Sequence, residues 1–302
     1  MNPIESGYAD VPLLATARVA GDEPAFLGEG PTWDPIRERL LWVDIMAGVV
    51  HVGRLHDDGR VEPQSRIQTP DTAGAVAVAA DGALVVAGTS RLHYVAADGA
   101  ISSGRELVTG DGRRFNDAKP DPAGRLVAGT LGPGDELLLR IEPGADEQVT
   151  VIDDDLTLSN GLAWSADGRR FYSADTGSAR IFVRSYDPAT GATGPRTVFA
   201  ELGHGHPDGM TMDADDHLWV AVWGGGRVLR FSPDGRLVGR VDVPAPHTTC
   251  PAFAGSDLGT LVITTATEHM TPAQLERYPL SGRLFTAKTG VRGIAPTLWG
   301  GR

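Results

Sequence analysis

Six short segments of the chain open at equivalent places in a repeated pattern, with Glu29, Gly74, Asn116, Asn160, Asp208 and Thr249 as their first residues. Four of these six offer a carboxylate or an amide oxygen, and none is a His or a Cys. If folding gathers the positions together, Glu29 and Asp208 bring two negative charges into one confined space, where they repel unless a cation lies between them. An all-oxygen set suits one hard divalent ion, Ca²⁺ first, with Mg²⁺, Mn²⁺ or Zn²⁺ as alternatives. Asn and Asp also favour the turns that lead into strands, but that preference explains neither Glu29 nor four donors in register.

The elements that must position these residues are visible as an internal repeat. Asn160–Gly168 superposes by its turn residues on Glu29–Arg37, Gly74–Gly82, Asn116–Gly124 and Asp208–Asp216, and a fainter sixth copy starts near Thr249. The intervals are 45, 42, 44, 48 and 41 residues, the length of a four-stranded propeller blade. Hairpin signals follow the copies: Leu40–Ile45 with Val49–Arg54, Ala83–Gly88 with Arg91–Val95, Phe171–Asp175 with Arg180–Tyr186, and Leu218–Trp223 with Arg227–Phe231. Gly- and Asp-rich turns join and close them. The repeat predicts an all-β, six-bladed β-propeller forming one domain over residues 1–302, with a repeat core of about 27–296. A β-sandwich has no reason to repeat the same apolar strand and Asp-Gly turn. In a propeller equivalent positions face one another across the central channel, so the oxygen donors should converge there. The only helical signal is the capping box Thr271-Pro-Ala-Gln274, which predicts one or two turns.

Composition narrows the partners. With 302 residues, 41% of them hydrophobic, the chain can bury a full core. Its 27 basic against 39 acidic residues give a net charge of −12, and only Lys119 and Lys288 are lysines, so no basic stripe exists for nucleic acid. Cys250 is the single cysteine and reads as a small buried hydrophobe; no internal disulfide can form. No uncharged stretch approaches the ~20 residues of a membrane span. The first thirty residues carry Glu5, Asp10, Asp22 and Glu23 without a basic start and apolar run. These features predict a cytoplasmic protein without membrane association. His204 and His206 read as a surface loop at the channel mouth, for want of a third soft ligand. Trp33, Trp164 and Trp219 read as blade packing, and Asp153-Asp-Asp155 as a solvated turn. No Gly-x-Ser-x-Gly elbow supports a serine hydrolase.

Several motifs, in order along the chain, carry a family resemblance: Leu27-Gly-Glu-Gly-Pro-Thr-Trp33, Arg114-Phe-Asn-Asp117, Ala128-Gly-Thr130, Ser159-Asn-Gly-Leu162, Pro207-Asp-Gly-Met210, Leu218-Trp-Val-Ala221 and Gly290–Pro296. Together they resemble the SMP-30/gluconolactonase/regucalcin family of six-bladed propellers. The resemblance implies a central metal held by Glu29, Asn160 and Asp208, and contacts from Arg114 and Asn116 to substrate hydroxyls. Several members also carry a longer acidic segment after the counterpart of Thr130 that supplies a substrate-contacting Glu. Here Leu131–Glu136 is short, which leaves open whether Glu136 takes that place.

The chemistry follows from the residues. A divalent ion polarises a lactone carbonyl and stabilises the oxyanion formed when water attacks. Asp208, with its short arm, is the candidate base for that water; Glu29 is chiefly a ligand, and Arg114 holds hydroxyls or the developing carboxylate. The expected function is hydrolysis of sugar (aldono) lactones, with a small-molecule lactone as the partner. Two alternatives use the same site: hydrolysis of an organophosphate or non-sugar lactone, and a non-catalytic, calcium-binding regulatory role. Arg114 and Asn116 favour the sugar lactone over the first alternative, since a polyhydroxylated substrate needs such donors and acceptors.

Overall fold

Apolar strands of four to eight residues, separated by the Gly and Asp turns noted above, pair in sequence order into six antiparallel sheets arranged as a six-bladed propeller. The computed structural model describes residues 7–300; the expected domain limits Met1 and Arg302, and Glu5, lie outside the described residues. From the axis outward, blade one is Gly28–Asp34, Arg39–Asp44, Val49–Leu55 and Val61–Gln68. Blade two is Ala75–Val78, Leu84–Ala87, Leu92–Val95 and Ile101–Ser103. Blade three is Arg114–Pro120, Leu126–Leu131, Glu136–Ile141 and Val149–Leu156. Blade four is Ser159–Trp164, Arg170–Asp175, Arg180–Ser185 and Thr197–Glu201. Blade five is His206–Met212, Leu218–Trp223, Arg227–Phe231 and Leu237–Asp242.

The ring closes through the N-terminal segment, which the repeat does not mark. Blade six takes Thr248–Ala254, Thr260–Thr265 and Phe285–Ala287 from the end of the chain and its outermost strand, Arg18–Val19, from the beginning. Just before it, Leu13–Thr16 lies parallel to Leu237–Asp242 as a fifth strand on blade five. The first and last blades are thus held together by backbone hydrogen bonds as well as by packing.

Between blades the core is aliphatic, with Val and Leu of the first two blades facing each other (Leu41, Val43 and Val52 against Val76, Leu84 and Val86). The three tryptophans behave as expected. Trp33 packs with Ala254 and Val262, Trp164 with Val127 and Leu138, and Trp219 with Phe253 and Ile263, each across a blade boundary. At the far end of three inner strands stands a fully buried aspartate: Asp34, Asp121 and Asp213. Each takes backbone N–H groups of its own turn and the guanidinium of an arginine of the same blade, Arg39, Arg125 and Arg230 respectively. Asp213 adds the indole N–H of Trp219, at 2.9 Å.

Two local expectations meet different outcomes. The capping box is present, and it starts the helix α1, Pro272–Arg277, inside a long excursion of blade six. The solvated turn at Asp153–Asp155 is not observed: these residues belong to the outermost strand of blade three. Two arginines of blade four explain why an acidic run can lie in a sheet. Arg184 and Arg196 both reach the Asp153 carboxylate, and Arg196 also donates to Asp155 at 2.7 Å. Among the described residues no helix is long and apolar enough to cross a membrane.

Asp213→Ala would leave Arg230 without its buried partner and Trp219 without an acceptor. It should cost about 3–5 kcal/mol of unfolding free energy, the range for breaking one side of a buried ion pair. Chemical denaturation checks this; a loss under ~1 kcal/mol would show that the turn repacks around the deletion.

Candidate metal and substrate site

At the height where the oxygen donors stand, the pairing between first and second strands slips in five of the six blades. The irregularities fall between Glu29 and Thr32, Phe115 and Ala118, Asn160 and Leu162, Pro207 and Met210, and Thr248 and Pro251. A bulge sets two residues of one strand against one of its partner and re-aims their side chains. Blade two has no bulge and no donor. Its Gly74 lies so near blade three that a Cβ there would sit 2.5 Å from the Asn116 carbonyl oxygen, so the position serves close blade contact.

The structure brings Glu29, Asn160 and Asp208 together, all buried. Asn160 donates its amide N–H to Asp208 Oδ1 and accepts at Oδ1 from the Gly161 N–H, at 3.1 Å. Glu29 Oε2 accepts from the Gly30 N–H at 2.8 Å, and its carboxyl is in hydrogen-bonding contact with that of Asp208. A third buried carboxylate, Asp117, stands beside them. Its Oδ2 finds no hydrogen-bond partner among the described residues. Burial raises the pKa of all three groups. The charge of Asp117 adds to the rise at Glu29, and the charges of Glu29 and Asp117 add to it at Asp208.

This crowding of acids fits a hard cation. Among the described residues no three His, Cys, Asp or Glu side chains are drawn into a ready-made metal cluster. The donors that do meet are two carboxylates and a neutral amide oxygen, with the unpartnered Asp117 oxygen next to them. A divalent ion would offset the repulsion and bring the raised proton affinities back down.

Arg114 and Asn116 adjoin this group. Arg114 Nη1 donates to Asn116 Oδ1 at 2.8 Å and to the Phe115 carbonyl at 2.9 Å; Asn116 in turn donates to the carbonyl of Ser159 at 3.1 Å, next to Asn160. Burial lowers the Arg114 pKa, and the charges of Glu268 and Glu29 oppose that fall. Glu136 is elsewhere: it is fully buried in blade three, accepting from Thr130 Oγ1 at 2.6 Å and paired with Arg113 at 3.3 Å. It therefore serves the fold of its own hairpin.

One residue of the site escaped the repeat. Asp117 follows Asn116 and is one step out of phase, and only the bulge lets both side chains reach the centre. The Asn-Asp pair was the available signal. Of the expected surface loop, His204 precedes the strand, whereas His206 is the first residue of the inner strand of blade five. His204 and His206 are exposed, with His206 Nδ1 donating to the Thr176 carbonyl at 2.9 Å. Cys250 is buried and its thiol is pushed well up, chiefly by burial, which leaves it unsuited to nucleophilic work.

Along the axis beyond the donors runs a cavity of about 350 Å³, lined by Asp117, Lys119, Cys250, Trp33 and Trp164 among others. Lys119 ties three blades together there, donating to the carbonyls of Leu162 at 3.0 Å and Met210 at 2.8 Å. The C-terminal segment 294–298 crosses the far end, and Trp299 is anchored to Val78.

Comparison with known proteins identifies the family. The family model described as the SMP-30/Gluconolactonase/LRE-like region matches residues 27–267. A 6-deoxy-6-sulfogluconolactonase of Pseudomonas putida is 36% identical, with 92% of this chain and 97% of that protein covered. The pentonolactonase XacC of Haloferax volcanii is 38% identical over 81% and 83% of the two chains. Among solved structures, a calcium-binding protein, regucalcin of Agrobacterium tumefaciens, superposes with a TM-score of 0.87 at 31% identity, covering 94% of this chain and 97% of that one.

The raised carboxyl pKa values make a signed prediction for protein kept in chelator. A group whose native pKa is raised contributes stability that is complete below its unfolded value, about 4, and is lost as pH rises through the native value. Glu29→Gln removes one such group and relieves its neighbours. Half-buried His51 and buried His247, whose pKa values are lowered, change charge with the opposite sign, so the diagnostic is the difference between proteins. From pH 5 to pH 8 the Tm of wild type should fall relative to that of Glu29→Gln. Parallel Tm curves for the two proteins would refute the shared charge burden.

Proposed function

The chain belongs to the SMP-30/gluconolactonase/LRE-like family, and from that premise and the geometry above we propose that it is a divalent-metal-dependent lactonase opening sugar lactones to aldonic acids. The observation that carries the reading is the meeting of Glu29, Asn160 and Asp208 on the axis beside the Arg114–Asn116 pair. The lactonases among its relatives support the reaction class. Glu29, Asn160 and Asp208 would hold the ion, and Ca²⁺ is the first to test because every donor is an oxygen. When bound, the ion supplies a Lewis acid for the lactone carbonyl.

The chain's own residues do the rest. Asp208 takes the proton from the attacking water at a carboxylate oxygen. Asn160, donating to Asp208 Oδ1, fixes the rotation of that carboxylate and leaves its other oxygen to face the water. Glu29 is locked by the Gly30 N–H and acts as a ligand. Arg114, held by Asn116 and the Phe115 carbonyl, presents a fixed positive group for the ring hydroxyls and for the carboxylate that forms on ring opening. The walls of the site are buried, which limits competing water. The cytoplasm is the compartment we propose, consistent with a lone buried cysteine.

Protein stripped of metal, reconstituted separately with Ca²⁺, Mg²⁺, Mn²⁺ or Zn²⁺, and assayed by acid release against sugar lactones and one phosphotriester tests this reading. Turnover of sugar lactones with at least one ion is expected. Metal binding without turnover of any lactone would point instead to a non-catalytic calcium-binding role, and preference for the phosphotriester to the alternative hydrolase.

Variants separate ligand from base. Asp208→Asn keeps an oxygen ligand but removes the base, so kcat should stay ~10²–10⁴-fold down even at saturating metal. Asn160→Ala should recover substantially when metal is raised. Metal content must be measured in each, because Asp208 also contributes charge. Restoration of Asp208→Asn to near wild-type kcat would assign it to metal binding alone. Arg114→Ala should raise KM for sugar lactones while metal content stays near wild type; unchanged sugar-lactone turnover would remove Arg114 from the substrate site.

A further inference from the structure

The inner strands keep their repeat below the donors as well as at them. Three residues beyond the six opening positions stand Thr32, Ala77, Lys119, Ala163, Thr211 and Ala252, and all six line the axial cavity. The layer beneath the donors is thus a ring of three alanines, two threonines and a single charged side chain. Lys119 is one of only two lysines among the 27 basic residues of the chain, so an ammonium here departs from the chain's strong preference for arginine. A compact ammonium can direct its N–H donors to carbonyls of separate strands, which the flat fork of a guanidinium does not.

Those carbonyls belong to Leu162, at 3.0 Å, and Met210, at 2.8 Å. Leu162 lies two residues beyond Asn160 and Met210 two beyond Asp208, and each is the residue at which regular pairing resumes after the bulge of its blade. The ammonium therefore bridges blades four and five just below two donors that are hydrogen-bonded to each other. On the other side of the ring Thr32 makes a lesser link of the same kind, donating to the carbonyl of Val76, two residues beyond Gly74, at 3.2 Å. A bulge disrupts the ladder locally, so a side chain that holds the strand where the ladder resumes limits how far the donor above it can shift. Asp117 lines the same cavity; burial raises its pKa, and the Lys119 charge is the strongest influence against that rise.

We propose that Lys119 is a positioning residue for the metal centre: by holding the inner strands of blades four and five at Leu162 and Met210, it fixes the spacing of Asn160 and Asp208 and presets the donors for one divalent ion. The inference rests on the metal-site part of the functional reading and not on the lactone. It carries a sign. A positive charge beneath the donors opposes a second cation, so if charge were the main effect of Lys119, removing it would tighten metal binding. Positioning predicts the reverse.

Calorimetric titration of metal-stripped, full-length protein with Ca²⁺, and in parallel with Mg²⁺, Mn²⁺ or Zn²⁺, tests this without turnover. Lys119→Met keeps much of the side chain's bulk but neither its donors nor its charge. It should weaken binding of the ion that wild type holds by about 10–100-fold, the range for outer partners that orient metal ligands. Asp213→Ala, which loosens blade five from the far end, should leave that affinity within about twofold, which tells positioning from general destabilisation. In Lys119→Ala, excess methylammonium, which has N–H donors, should recover much of the affinity, and tetramethylammonium, which has none, should not. A measurement on wild type covers variants that fail to fold: with ¹⁵N-labelled lysine only Lys119 and Lys288 give ammonium signals, and that of Lys119 should exchange slowly and shift when the ion binds. Equal or tighter binding by Lys119→Met, or no shift of either lysine signal on binding, would overturn the inference alone. Metal binding that depends on Lys119 without turnover of any lactone would overturn the functional reading and leave this inference standing. Wild type that binds none of the four ions would overturn both.

Discussion

Two carboxylates in contact at the centre of a buried ring, with a third beside them, set the condition that the rest of this propeller must meet. Unit like charges about 4 Å apart repel by about 4 kcal/mol at an effective dielectric of 20, a large part of the net stability of an ordinary domain. The raised proton affinities of Glu29, Asp117 and Asp208 express the same cost. A fold that tolerates it must hold the three groups by contacts made elsewhere. The blade-to-blade cores, the buried Asp turns at the far end of the inner strands and the N-terminal strand that closes blade six supply those contacts.

The bulges convert that rigidity into geometry. A regular inner strand would alternate its side chains between the two faces of its sheet, and each blade could offer the axis only a single edge residue. Slipping the ladder at Asn116 and Asp117, or at Asn160, turns side chains toward the centre without breaking the strand. Because the same device recurs in five blades, the donors arrive at one height. The blades without a carboxylate also have work: Gly74 permits close approach, and Thr249 Oγ1 donates to the Gly28 carbonyl at 2.6 Å, fixing the strand that carries Glu29.

What could be read from the sequence was whatever repeats. The Asp-Gly turns and the apolar inner strands recur at near-constant spacing, so the blade count, most hairpins and the phase of Glu29, Asn116, Asn160 and Asp208 were accessible without coordinates. Features built by non-local pairing were not. Leu13–Thr16 and Arg18–Val19 become strands only because edges of blades five and six wait for them. Asp153–Asp155 looks like a turn until Arg184 and Arg196 of the next blade are placed beside it. Asp117 is hidden by a one-residue slip that no periodicity contains. The misses share a cause, since each depends on a partner distant in sequence.

The ring also divides labour between its two ends. At the far end the C-terminal segment lies across the axial cavity, whose walls mix Trp33, Trp164 and Val76 with Lys119, Ser165 and Asp167. At the near end the inner strands begin, the donors stand, and the inter-strand connections form the rim. The central donors are therefore carried by strands, whose positions are overdetermined by pairing on both sides. Connections can lengthen at small thermodynamic cost because closure entropy grows only logarithmically with loop length. In this chain the connection of blade three is short, and Glu136 at its end turns inward to Thr130 and Arg113, while the connection of blade six is long and carries α1. A rim connection can change in length in this way without moving the donors, because their positions are set by the pairing of the inner strands.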